Sequence, residues 1–149
     1  MRRSKRLQPV LQIAERKEQE AMEVFGQGSR VLEEQKAKLQ ELHLYLQEYR
    51  QGLLQRGRAG VTGQQLRQLQ QFIAQLEAAI REQQALIQVT EEQSALNRER
   101  WLDLRGKREA MEKVILRARE EEDMVQMKQE QKESDERAQL QRERSGFGY

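Results

Sequence analysis

Residues 39–80 read LQELHLYLQEYRQGLLQRGRAGVTGQQLRQLQQFIAQLEAAI, two apolar rhythms on either side of a glycine-rich break. Before the break Leu39, Leu42, Leu46, Tyr49 and Leu53 recur at alternating steps of three and four residues. After it Leu66, Leu69, Ile73, Leu76 and Ile80 do the same. Such spacing gathers large side chains into one narrow stripe of a helix, the a and d columns of a heptad. Gly52, Gly57, Gly60 and Gly63 interrupt the pattern, and residues 55–61 read as the connection. Thr62 followed by Gln65 is a capping box, which satisfies orphan amides at a new helix start. A connection this short makes the two helices antiparallel.

Outward from this centre both columns continue. In the first helix one column is Leu11, Glu18, Phe25, Leu32, Leu39, Leu46, Leu53, and the other is Leu7, Ala14, Ala21, Gly28, Gln35, Leu42, Tyr49. In the second, Leu66, Ile73, Ile80, Ile87, Ser94, Trp101, Arg108 and Ile115 run beside Leu69, Leu76, Gln83, Thr90, Asn97, Leu104, Met111 and Ala118. The sole proline, Pro9, suits the first position of a helix, where its missing N–H is not needed. The expectation is an all-α fold, a two-helix antiparallel coiled-coil hairpin whose longer second helix overhangs. It forms a single coiled-coil domain with a helix over about 9–53, a loop over about 54–62 and a helix over about 63–144. The termini are expected to fray, with Gly146 and Gly148 marking the tail.

Folding about residues 59–60 sets Leu53 near Leu66, Leu46 near Ile73, Leu39 near Ile80 and Leu32 near Ile87. Gln35 then meets Gln83, Phe25 and Gly28 meet Ser94 and Thr90, and Trp101 lies opposite Glu18. The seam is strong toward the loop and weak around Glu18, Gly28 and Gln35. The last 30 or so residues of the second helix have no partner in this pairing. Val114, Ile115, Met124, Val125 and Met127 are counted within that overhang, which suits binding.

Composition bounds the function. Of 149 residues 36% are hydrophobic and 35% charged, a smaller apolar share than a compact globule carries. Disorder is the rival reading, but the chain is rich in the helix formers Gln, Glu, Arg, Leu and Ala. Net charge is +2, so composition makes no demand for nucleic acid. There is no cysteine, which excludes disulfides and thiolate metal sites. No apolar run approaches the ~20 residues that span a bilayer. The only histidine, His43, sits on a helix flank and reads as a solvated side chain. The glycines around residue 60 do not form a phosphate loop. The run from Glu120 to Asp123 reads as a solvated acidic face. No catalytic constellation and no cofactor site emerge, so the chain is expected not to be an enzyme.

Two surface features suggest partners. Tyr45, Phe72 and Ala79 are apolar in flanking g positions beside Tyr49 and Leu76 in the core columns, which widens the stripe beyond what two helices cover. Arg2, Arg3, Lys5 and Arg6 gather at the open end, near Lys113 and Arg117 in this register. Such a basic end suits an acidic protein surface, an anionic membrane or nucleic acid.

The sequence also resembles a family, FliJ, the stalk protein of the bacterial flagellar type III export apparatus. The resemblance rests on Lys5-Arg6-Leu7-Gln8-Pro9-Val10-Leu11, on Glu48-Tyr49-Arg50, on Gln70-Gln71-Phe72-Ile73 and Leu76-Glu77-Ala78-Ala79-Ile80, and on residues 130–138. It implies a non-enzymatic stalk and adaptor that engages the export ATPase ring and contacts the export gate protein FlhA and the export chaperones. It places the chain in the cytoplasm, peripheral at the cell membrane of the flagellar basal body, and implies no cofactor. By resemblance the gate-contact surface is Leu42, Tyr45, Tyr49, Phe72, Leu76 and Ala79. Two further positions of that surface hold Lys38 and Gln83 here, where a glutamine and a histidine are expected of the family. The open end and the overhang would face the ATPase. The rival readings are a stalk of a virulence secretion system, a general chaperone-like coiled coil and a basic helical protein for nucleic acid.

Overall fold

The structure, a computed structural model, describes residues 2–146, so the tail expectation at Gly148 lies outside the described residues. It contains α1, Arg3–Ala59, and α2, Gly63–Gly146, of 57 and 84 residues, which make a helical hairpin. Gly60 turns the chain at φ +83°, the left-handed conformation that glycine adopts after a helix C-terminus. The Gln65 N–H donates to Thr62 Oγ1 at 3.3 Å and the Leu66 N–H to the Thr62 carbonyl at 3.1 Å, which caps α2 as the sequence implies.

Both ends of α1 lie beyond the expected bounds of 9 and 53. Pro9 is inside the helix rather than at its start. It costs one backbone bond, but the turn before it is held by packing: Ser4 is buried against α2. At the other end helix runs through Gly57 to Ala59, with Arg56 and Arg58 in the last turn, where cations favour the helix dipole.

Two compact units emerge, residues 20–102 and the remainder, namely the residues up to Gln19 with those from Asp103 onward. In the first unit, which contains the loop, Leu46, Ile73 and Ile80 form the buried core, and Leu39, Leu42, Leu53, Leu69 and Leu76 pack against it. Farther from the loop, Phe25 stacks on Trp101 with ring centroids 6.0 Å apart. The Gln83 side-chain amide donates to the Gln35 backbone carbonyl at 2.9 Å. It does not meet the Gln35 amide, whose Oε1 is buried without a hydrogen-bond partner among the described residues.

In the second unit Ile115 and Ala118 are each 3% exposed, the least of the apolar core. Glu18 and Arg108 form an ion pair inside the seam, with side chains 15% and 22% exposed, and Arg108 also reaches Glu112 at 2.8 Å. Ser4, 5% exposed, is held by Glu122: its N–H donates to Oε1 at 3.0 Å and its hydroxyl to Oε2 at 2.7 Å.

These contacts correct the register. α1 ends at Ala59 and α2 begins at Gly63, so the chain reverses about residue 61, midway between them, rather than 59–60. Each seam residue then sits between two successive members of a column on the other helix. Trp101 therefore stacks on Phe25 rather than facing Glu18, and Glu18 takes Arg108. The overhang also begins later than expected. Ile115 is buried and Val114 half-buried, whereas every described residue from Asp123 onward is exposed.

Candidate partner-docking surface

The two flanks of the seam in residues 20–102 differ in chemistry. On one flank, position e of α1 faces position e of α2, and cross-helix ion pairs bridge it. Arg50 Nη2 lies 2.9 Å from Glu77 and Lys36 Nζ lies 3.7 Å from Glu91. These pairs are half-exposed, so each is worth only ~0–1 kcal/mol, but they identify that flank. Positions g of both helices therefore share the opposite flank, and there Tyr45 and Phe72 stand.

The six residues of the expected gate surface fall into two groups. Leu42 and Leu76 are half-buried and pack against the core, so most of each side chain belongs to the seam. Tyr45, Tyr49 and Phe72 are exposed, Tyr45 at 51%. Tyr49 and Phe72 meet with ring centroids 4.6 Å apart at a tilt of 54°. Tyr45 and Tyr49 line a shallow groove of about 260 Å³ with Glu48, Gly52, Arg56 and Leu69. Ala79 is half-buried. Of the two further positions, Lys38 is exposed, while Gln83 is 7% exposed and occupied by its bond to Gln35, so it offers no contact to a partner.

At the open end the first residues of the basic cluster meet acidic and amide side chains of α2. Arg2 donates to Gln126 Oε1 at 3.0 Å. Arg2 and Arg3 line a groove of about 640 Å³ whose other wall includes Glu121, Glu122, Glu130 and Glu133. Arg2 and Arg3 thus border a groove of mixed charge to which Glu121 and Glu122 contribute, while Glu120, Glu121 and Asp123 of the acidic run are exposed. The cause is the register together with helix that continues to Arg3.

Glu122 does more than neutralise. Ser4 is the second residue of α1, and its N–H is among the amides that a helix start leaves without an intrahelical acceptor. Glu122 supplies that acceptor from the other helix, and a carboxylate there also suits the helix dipole. These bonds, first from the Ser4 N–H and then from its hydroxyl, hold the Glu122 carboxyl below its usual range. Its bond with Glu18 likewise holds the Arg108 guanidinium more firmly protonated. Both pairs could have been found in the sequence. Ser4 and Glu122 lie one heptad beyond Leu11 and Ile115, and Glu18 and Arg108 are opposite charges within the columns themselves.

His43 is exposed. Among the described residues no group of His, Cys, Asp and Glu could hold a metal ion. No helix among them is long and apolar enough to cross a membrane.

Fold and surface together define a two-helix coiled-coil hairpin whose distinguishing features are flanks and ends rather than a reaction centre. A family model described as Flagellar FliJ protein matches residues 3–146, and the chain belongs to that family. The family is a non-catalytic component of the flagellar export apparatus. No curated protein and no solved structure matches the chain.

Proposed function

We propose that this chain is the stalk and adaptor of flagellar protein export, without catalytic activity of its own. Its open end and the α2 overhang engage the ring of the export ATPase. Its aromatic flank contacts the export gate FlhA, and export chaperones bind the same chain. A two-helix stalk inside a ring presents a different face to each subunit, and so biases their nucleotide states unequally. It acts peripherally, on the cytoplasmic side of the membrane, through the export apparatus.

The observation that carries this reading is the exposed trio Tyr45, Tyr49 and Phe72 on the flank opposite the ion pairs. Aromatic side chains bring large rigid contact area, which is why they dominate binding energy at interfaces. The overhang supports the other half: from Met127 to Gly146 every residue is exposed and helical. The test is binding of the purified chain to the gate's cytoplasmic domain and, separately, to the ATPase. Tyr45→Ala with Phe72→Ala is expected to weaken gate binding by ~100-fold and leave ATPase binding intact, as two aromatic anchors at ~1–2 kcal/mol each imply. Unchanged gate binding would sink the assignment of the patch.

A further inference from the structure

In residues 20–102 the stretch farthest from the core cluster has a poor seam. Its α1 positions Gly28 and Gln35 face the Thr90, Ser94 and Asn97 stretch of α2. A Cβ added to Gly28 would stand 3.4 Å from Asn97 Nδ2, so a polar side chain faces the glycine across the seam. Besides Ala21, Leu32 and Ile87, which the seam covers, the stretch has aliphatic residues outside it. Val24 and Val31 hold position g of α1, Leu86 holds position g of α2 with the exposed Gln93 one heptad on, and Val89 and Leu96 hold position c of α2, the next column outward. All five aliphatic residues are 45–63% exposed. With the chain reversing about residue 61 they fall within about 18 Å along the helix axis at ~1.5 Å per residue.

Among the described residues no cross-helix ion pair bridges their flank, and Lys36 and Glu91 occupy the other at this level. Its two edges are unlike. The α2 edge is apolar through Val89 and Leu96. The α1 edge, position c, carries Glu20, Gln27, Glu34 and Glu41, all exposed. Among the described residues no ion pair engages Glu20, Glu34 or Glu41. Lys38 separates this aliphatic groove from the aromatic trio nearer the loop.

We propose that this groove takes one amphipathic helix of a partner protein, apolar on one face and edged with lysine or arginine. The helix lies along the seam as a third member of the bundle. Its apolar face covers Val24, Val31, Leu86, Val89 and Leu96, and its cations meet Glu20, Glu34 and Glu41. Contiguous exposed apolar side chains mark contact sites, and an amphipathic helix in a groove is the mode that two parallel ridges accept. Charge selects the occupant. Docked groove against groove, a second copy of this chain would bring another acidic edge, with Lys38 and Arg100 the cations that residues 20–102 hold in position g near it. The site is independent of the aromatic reading, because none of its residues belongs to that trio.

The test uses the full chain and a labelled three-heptad helical peptide with a leucine stripe and lysines along one edge. The control is the same peptide with glutamates on that edge. By fluorescence anisotropy the lysine-edged peptide should bind at least ~10-fold more tightly, since like charges along an edge oppose docking. Val31→Glu with Leu86→Glu should weaken it by ~10-fold or more, as loss of central anchors does. Glu34→Lys with Glu41→Lys should reverse the preference between the peptides, and Tyr45→Ala with Phe72→Ala should leave it unchanged. Circular dichroism checks that each variant stays helical, and Val31→Ser with Val89→Ser replaces the glutamate pair if it does not. No binding, equal binding of both peptides, or indifference to the groove substitutions overturns the proposal. So does sedimentation of the chain alone as a dimer that Val31→Glu dissociates, because the occupant is then a second copy.

Discussion

The seam near the loop and the seam at the chain ends solve one problem with different chemistry. Around Leu46 the layers are leucine on α1 and leucine or isoleucine on α2. Around Glu18 and Ser4 they combine well-buried Ile115 and Ala118 with an ion pair and a serine–carboxylate clasp. Apolar layers supply most of the free energy but little position, since sliding one helix by a heptad still sets leucine on isoleucine. The charged layers work the other way. A slip by one heptad would leave Glu18 and Arg108 without each other inside the seam, which is strongly unfavourable. Stability and register are therefore held by different parts of the chain.

The largest effect should come from the apolar part. Leu46→Ala removes a side chain that is 7% exposed at the centre of the core cluster and should cost about 2–4 kcal/mol. Urea denaturation followed by circular dichroism measures it, and a loss under ~1 kcal/mol would mean that this cluster does not dominate stability.

A smaller and qualitatively different change is expected in the charged layer. Arg108→Ala should lower the melting temperature by leaving Glu18 without its partner. Glu18→Leu with Arg108→Leu should recover that loss and exceed the parent, because apolar replacements of a buried pair usually do. The price is register. Cysteines placed at Ala14 and at either Leu104 or Met111, the two α2 column members it lies between, should cross-link at rates that change in the double-leucine chain. Equal rates would remove the register role from this pair.

The smallest effect is the pH dependence of the Ser4–Glu122 clasp. The folded-state Glu122 carboxyl lies below its ordinary value of 4.5, so its contribution is complete above that value. It is lost as pH falls from there through the depressed folded-state value. Thermal melts from pH 7 to pH 3 should show a steeper fall for the parent than for Glu122→Gln, and matching slopes would mean that the clasp adds no stability.

Much of the architecture was legible in the sequence. In the second helix every column residue from Leu66 to Ala118 is buried or half-buried, and in the first only Tyr49 is exposed. Heptad spacing reports which face of a helix is covered, and that face does not depend on the partner's exact height. For the same reason the partner's height was misjudged. Pairing by column sets like positions opposite each other, whereas the real turn at Gly60 moves the axis of reversal to residue 61. That small shift moved Trp101 to Phe25 and brought Arg2 to Gln126, where Arg2 and Arg3 border a groove of mixed charge. The aromatic surface was only partly legible. Excess apolar residues in position g identified Tyr45 and Phe72 and left Leu42 and Leu76 to the core, but column spacing did not show that Tyr49 stays exposed beside them.

The sequence by itself determined that there are two helices, where they are interrupted and which stripe each one buries. Those are local properties, written by spacing, glycine and capping residues. Tertiary structure alone decided which residue meets which across the seam, where the overhang begins and which flank stays open. Each depends on the relative height of two helices, set jointly by the turn and by layers such as Glu18–Arg108 and Ser4–Glu122. No single stretch of chain encodes that height.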